Sequence, residues 1–598
     1  MNDSSDQPSR GWSRLRQLML TLAIVATAIA LFYTEEDWRG KRDWERYKSE
    51  LEAQGWMLDW NQRIPKPVPD DQNFFMASTN IRIRFVKTQN DAEYAAATNL
   101  NWLVPNYQGM PDVTFAKSNE PVVAELTVVP TGGNIMVSEG TTTVDLRDAA
   151  AGKTLQDLIR GHFGRWLSGS AGFHLVEKYP YEVPSLRITL KSESAQTADS
   201  LKQFIPLNLA TNIGTLGITA GDQAGQFEVR LVSGRHTSAA DYLAWSDQFN
   251  PAFDEIREAL KRPYALIPGD YSKPWYRPIP NFVVLRWIAQ MQAMRAQSHL
   301  LLNQPGEAVN DLSMVHDICQ IVEHRPDGHP MTLVEAMINT AIHGVYLAGV
   351  QDGFRLHAWR EEDLAALQKE LEQTDLHTPV FAGFEFEEMA AVWNGERPDF
   401  MKNIVSERKI YGQPITFRDR LQVWAYRAMP QGWSYENVKV AVELDQKSFK
   451  ALSRTNEQAF PAAVQQIETE TGDVLSRNSP FTMLASIAVP NFIKAFETYA
   501  YTQTLVNEGQ IACALERYKM VNGSYPDALD KLTPNFIDTL PVDIIGGQPL
   551  QYRRVNDGSF LLYSVGWNEK DDGGTVALDH QGKEDRNQGD WVWHYQAN

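Results

Sequence analysis

The run R-Y-K-M-V-N-G-S-Y-P-D-A-L-D-K-L at 517–532 is followed by L-P-V-D-I-I-G-G-Q-P-L-Q-Y at 540–552 and L-L-Y-S-V-G-W-N-E-K-D-D-G-G at 561–574. The hydrophobic period changes along the way. From Tyr501 to Val521, the residues Leu505, Ile511, Leu515 and Tyr518 fall loosely on one side, as in a helix. Asn522 and Gly523 end it, because either residue can take the left-handed conformation that caps a helix. Leu529 and Leu532 pack a short second helix behind Tyr525-Pro526, and 534–541 is a connector. Leu550 to Arg554 and Ser559 to Ser564 read as antiparallel strands, with Asn556-Asp557-Gly558 as the hairpin turn. A long helix followed by a small antiparallel sheet predicts an α+β module over 481–598.

These elements, with Tyr525-Pro526, Leu529, Leu532 and Pro534, then Leu540-Pro541, Asp543, Pro549-Leu550 and Tyr552, resemble the globular head of bacterial type II secretion major pseudopilins. The resemblance covers roughly Pro490 to Trp593, a sixth of the chain. Upstream, F-T-M-L-A-S-I-A-V-P-N-F-I-K-A-F-E-T-Y-A at 481–500 resembles the stretch where a pilin helix leaves the membrane, with Pro490-Asn491-Phe492 at the kink. In a pilin this stretch follows a cleaved leader. Here its apolar run, Phe481 to Val489, is too short to span a bilayer and reads as a packed part of the region before it. The resemblance implies an assembly module, not a catalyst. It also implies calcium, which the family binds in the loop after the equivalent strand through aspartates and main-chain carbonyls. Ser564-Val565-Gly566 and Asp571-Asp572-Gly573-Gly574 fall in the matching place, and Asp590 precedes Trp591 as the family's last acidic residue precedes its closing segment. Asp571, Asp572 and Asp590 are the expected ligands, with Asp579 a weaker one; a Gly-rich acidic loop suits a hard cation that takes about six to eight oxygens. The family's ligand spacing is not reproduced residue by residue, and a solvated acidic turn is the other reading.

At the opposite end, Leu18 to Tyr33 (L-M-L-T-L-A-I-V-A-T-A-I-A-L-F-Y) carries no charge. It is somewhat shorter than the ~20 residues of a usual spanning helix, and Gln17 and Thr34 extend it. Arg10, Arg14 and Arg16 precede it, and Glu35, Glu36 and Asp37 follow. The positive-inside rule therefore places the N-terminus in the cytoplasm, residues 18–33 in the bilayer of a bacterial inner membrane, and the bulk of the chain outside. A cleaved signal peptide is the other reading, with Ala26-Thr27-Ala28 or Ala28-Ile29-Ala30 as the cleavage site. Next, Trp44, Tyr47 and Leu51 recur at helical spacing in an otherwise charged stalk, with Trp38 and Trp44 expected at the headgroups. Ile64-Pro65-Lys66-Pro67-Val68-Pro69 is a stiff linker. This N-terminal run is similar to those of uncharacterised bacterial membrane-anchored proteins.

The 598 residues exceed one core, and the reading outlines successive regions. They are a tail and anchor (1–34), a juxtamembrane helix and linker (35–74), a mixed α/β region (75–240), an α-helical scaffold (241–480) and the head (481–598). In 75–240, Pro121–Val129, Ser185–Leu190 and Gln226–Val232 are strand candidates, and Leu155–Trp166 a helix. Ala151-Gly152-Lys153-Thr154 is no phosphate loop, since Arg147 stands where its first glycine belongs. In the scaffold, helices are expected at Asp241–Leu260, Phe282–Leu302, Glu307–Glu323, Thr332–Gln351 and Glu361–Glu372. The run at 296–312 looks like a tetratricopeptide-type helix pair, without a clean repeat.

A net charge of −19 argues against a general nucleic-acid binder. The 17 tryptophans read as core anchors, with sugar stacking as the other use. Cys319 and Cys513 form no disulfide framework and no zinc set, and read as buried thiols. No H-E-x-x-H, C-x-x-C, G-x-S-x-G or G-x-G-x-x-G is present. His316, His324 and His329, near Asp317 and Glu323, make the best metal-like cluster, yet read as solvated or hydrogen-bonded histidines. Glu385, Glu387 and Glu388 read as a charged helix face and not as paired catalytic carboxylates. The expectation is a membrane-anchored binding or assembly protein of the envelope, with protein partners there, associated with a type II secretion or pilus-like system. The alternative is an envelope hydrolase acting on glycans or peptides, with its site at a domain interface.

Overall fold

Helix α1 (Arg10–Ala53) carries the uncharged run straight into the charged stalk without a break. The computed structural model describes residues 10–86, the five strands of one sheet between 123 and 232, and 246–397 with short breaks. It also describes scattered residues of 416–430, then 431–452, 460–485 with short breaks, and 493–593 with two short breaks. None of the apolar window of α1 is buried in the protein, and only its last residues, Phe32 and Tyr33, touch the body. Beyond it, α1 lies along α10 (Gln431–Leu452), where Trp44 and Leu51 pack with Val438 and Val442. The helices cross at Gly40 and Gly432, and a Cβ on Gly432 would sit 1.9 Å from the Glu36 carbonyl oxygen. Trp44 therefore departs from the headgroup expectation: it is 1% exposed and its indole N–H donates to Glu396 at 2.8 Å. Trp38 is 59% exposed.

The helical body follows the expected helix positions from Asn250 onward. It comprises α2 (Thr79–Phe85), α3 (Asn250–Leu260), α4 (Phe282–Leu301), α5 (Pro305–Ile318), α6 (Gln320–Glu323), α7 (Leu333–Arg355), α8 (Glu361–Gln373), α9 (His377–Gly395), α10 and α11 (Phe460–Leu475). Asn281 caps α4, Asn303 turns the chain with φ 57°, and Pro305 opens α5, which gives the antiparallel hairpin that the helix-pair pattern suggests. Thr332 and Glu335 form a capping box at the start of α7. That helix is also long and apolar enough to cross a membrane, but 61% of its apolar window is buried in the body.

Strands β1 (Val123–Val129), β3 (Ser185–Leu190) and β5 (Gln226–Val232) coincide with the sequence expectation, and β2 (Thr141–Asp145) and β4 (Thr215–Ala220) join them. All pairings are antiparallel, in the order β2-β1-β3-β5-β4. The helix expected at Leu155–Trp166, the 151–154 run and Pro490-Asn491-Phe492 lie outside the described residues.

At the C-terminal end, α12 (Ile493–Asn522) leads to β6 (Gln551–Arg554), β7 (Phe560–Ser564), β8 (Val576–Leu578), β9 (Glu584–Gly589) and β10 (Trp591–Val592). Strands β10, β7 and β6 form one sheet, and β8 pairs with β9. The described residues are thus mixed, mainly helical with small antiparallel sheets. One buried apolar cluster runs from Phe74 through the body helices to Leu562, Trp591 and Trp593. Arg517 on α12 reinforces the contact by donating to Glu361 and Gln368 of α8.

Candidate functional site

The acidic loop between β7 and β8 is shaped by glycines and clasped by one carboxylate. Gly566, Gly573, Gly574 and Gly589 all have φ between 68° and 82°, which a side chain rarely adopts. Asp590 is 1% exposed and accepts the main-chain N–H groups of Asp572, Gly574 and Thr575 at 3.1, 2.6 and 3.2 Å. Asp571 accepts the Tyr563 hydroxyl and the Gly573 N–H, both at 2.9 Å. Burial and this carboxylate push the Tyr563 phenol up to about 12. Asp572 accepts from the Asn568 amide at 3.2 Å. The expected ligands are thus brought together, with Asp590 turned inward onto backbone donors and Asp571 and Asp572 on exposed residues. Among the described residues, no group of three or more His, Cys, Asp or Glu is arranged to hold a metal ion.

The acidic triplet of α9 departs from the solvated-face expectation. Glu388 is 1% exposed and accepts from Gln446 at 2.8 Å; Glu387 accepts the Leu333 N–H at 3.4 Å; Glu385 pairs with Arg63 at 3.1 Å. Burial pushes Glu387 up to about 7 and Glu388 up to about 8, and it raises Asp445 beside them. The reason is that α9 is apolar on several sides, so its acids enter the body with the surrounding Phe and Met side chains. Nearby, Arg277 is buried against Glu335 and the ring of Phe386, and burial lowers its guanidinium to about 10. Arg277 comes from a Pro-rich connector whose sequence gives no sign of burial.

The three histidines do not converge. His316 faces Thr374 at 3.3 Å and the ring of His343 at 5.8 Å, His324 is exposed, and His329 lies 3.4 Å from the Tyr271 hydroxyl. Cys319 and Cys513 are free and buried, as expected, and burial raises both thiols. Cys319 lies 3.4 Å from His343, but burial lowers that imidazole to about 3, so it is a poor base for the thiol. Sequence reasoning also missed Glu508, which is fully buried in α12 and raised by burial and by Asp543.

A cleft of about 510 Å³ opens between α10, α11 and residues 544–548. Ala451, Phe460, Ile467 and Ile545 give it an apolar floor, and the Lys447–Glu470 ion pair rims it. Its volume suits a small ligand or a side chain of a partner.

No family model matches the chain, and no curated protein or solved structure is similar to it.

Proposed function

We propose that this is a single-pass protein of the bacterial inner membrane. Its body lies outside the cytoplasm and binds or assembles with other envelope proteins, as part of a type II secretion or pilus-like system. The observation that carries this reading is α1. Its apolar part is bare, while the stalk that continues it is fixed to the body through Trp44, Leu51, Gly40 and Asp37. A bare apolar helix joined rigidly to a folded body needs lipid around it.

The head supports assembly over catalysis. Its long helix is followed by a small antiparallel sheet, and its carboxylates serve to shape a loop. Calcium belongs to the same reading, with the exposed oxygens of Asp571 and Asp572 and nearby carbonyls as ligands and Asp590 as the clasp behind them. The acids of α9 are taken up by Arg63, Gln446 and the Leu333 N–H, contacts that hold the body together, and no specific observation favours the hydrolase alternative. Crosslinking in intact cells followed by purification of the full-length protein tests the proposal. Secretion or pilus-assembly components should be recovered; their absence under conditions that capture a known envelope complex would remove the assembly role.

A further inference from the structure

The end of the body nearest the apolar run is set by where α10 begins. Asp37 of α1 accepts the Gly432 N–H at 2.9 Å, and Glu36 accepts the Trp433 indole N–H at 2.7 Å. Further out, Trp44 and Leu51 pack with Val438 and Val442. The two helices therefore rise together, and α10 starts level with the turn of α1 that follows Tyr33. At 1.5 Å per residue, Glu36 and Asp37 stand only about 4.5–6 Å beyond Tyr33. Tyr33 itself donates its hydroxyl to the Ala428 carbonyl, so the body reaches the last residue of the run. A row of rings crosses this level. Phe32, 46% exposed inside the apolar run, lies edge-on to Trp433 with centroids 6.2 Å apart. Trp433 in turn lies edge-on to Phe481 at 5.4 Å. The Arg39 guanidinium, which reaches back to Glu36 at 2.6 Å, is 5.9 Å from the Phe481 ring. Phe481 belongs to a turn at 479–483 that is fixed to α10, since the Asn437 amide donates to the Pro480 carbonyl at 2.7 Å. Met483 ends that turn and is 40% exposed.

We infer that Trp433, Phe481 and Met483 seat the body in the headgroup layer of the bilayer, so that the protein rests on the membrane and is not merely tethered to it. The inference rests on the anchor reading above. The headgroup layer is about 5–8 Å deep on each side, and it is where Trp rings concentrate. With Tyr33 at the edge of the apolar core, rings that meet α1 within its next turn fall inside that layer. A helix tilt of about 20° moves a ring ~10 Å from the axis of α1 by only about 3 Å, less than the depth of the layer. The shortness of the span points the same way. Leu18 to Tyr33 covers roughly 24 Å of an apolar core about 30 Å thick, which draws flanking residues down to the interface. Charge is arranged to match. Glu36 is taken up by Arg39 and Trp433, and Asp37 by the Gly432 N–H, so of the acids at 35–37 only Glu35 is exposed. The Arg39 side chain stays 41% exposed at the level of the lipid phosphates.

The test uses the full-length protein in phosphatidylethanolamine–phosphatidylglycerol vesicles. A fluorophore is placed on Met483→Cys, on Ala23→Cys within the apolar run, or on Lys450→Cys, an exposed position about 25 Å further along α10 than Trp433. Cys319 and Cys513 are buried, and the unsubstituted protein serves as the labelling blank. Quenching is compared between lipid that carries a nitroxide on its headgroup and lipid that carries it deep in the acyl chain. The deep probe should quench residue 23, and neither probe should quench residue 450. The headgroup probe should quench residue 483 about threefold or more above residue 450. Quenching at 23 with residue 483 behaving like 450 would overturn the seat and leave the anchor standing, as expected if a protein partner covers the turn. Stronger quenching at 483 by the deep probe than by the headgroup probe would overturn the headgroup placement. No quenching at 23 would remove the anchor reading, and this inference with it.

Discussion

Asp590 shows how a residue chosen for one chemistry can perform another. Its carboxylate gathers three main-chain N–H groups and thereby holds the loop that Asp571 and Asp572 display. Asp590→Ala should destabilise the protein by about 1–3 kcal/mol, because it removes the acceptor of three partly buried N–H groups; Asp590→Asn should cost less, since one oxygen remains. Denaturant unfolding monitored by circular dichroism measures both. Added calcium should raise the melting temperature of the intact chain, an effect that Asp572→Ala abolishes; a melting curve indifferent to calcium would dismiss the ion. Glu388 gives a pH-dependent prediction. Its folded value of about 8 lies above the ordinary 4.5, so the folded state holds the proton more tightly than the unfolded one. Its contribution to stability is therefore present below 4.5 and is lost as pH rises towards about 8. Melting temperature should fall across that window, and Glu388→Gln, which mimics the protonated acid, should flatten the fall. A profile unchanged by the substitution would assign the effect to Glu387 or Asp445.

At the level of elements, the junction of α1 and α10 matters most. Asp37 accepts the N–H of Gly432 at 2.9 Å and so caps the start of α10 from another helix, while Glu36 accepts the Trp433 indole N–H at 2.7 Å. Asp37→Ala should cost about 0.5–2 kcal/mol. Gly432→Leu should cost more and loosen the stalk, read as faster proteolysis between 37 and 55, because its side chain would enter the Glu36 backbone. Much of this level was legible in sequence. Helices bounded by turn or capping residues, such as α4, α7 and α8, and β-branched strands such as β5 fall where expected. Strands β2 and β4 were missed because short Thr- and Gly-containing runs lack a decisive period. Trp44 and the acids of α9 were misplaced for a different reason. Local pattern shows that a face is polar, but whether it meets water depends on partners far away in sequence, here Glu396, 352 positions from Trp44, and Gln446, 58 positions from Glu388. The same limit hid the loop role of Asp590, whose donors lie 15 to 18 positions earlier.

For the whole molecule, one apolar cluster links the body helices to the C-terminal sheet, and α1 packs on a second, smaller cluster with Val438 and Val442 of α10. That arrangement suits a body held close to a membrane. The negative net charge of −19 fits protein recognition in the envelope better than binding to a polyanion. The central claim is that this body lies outside the cytoplasm, and protease added to intact spheroplasts tests it most directly, with an epitope at the C-terminus followed by immunoblot. The account predicts loss of the epitope while a cytoplasmic marker survives. Full protection of the epitope in sealed spheroplasts, with digestion once the membrane is ruptured, would contradict it.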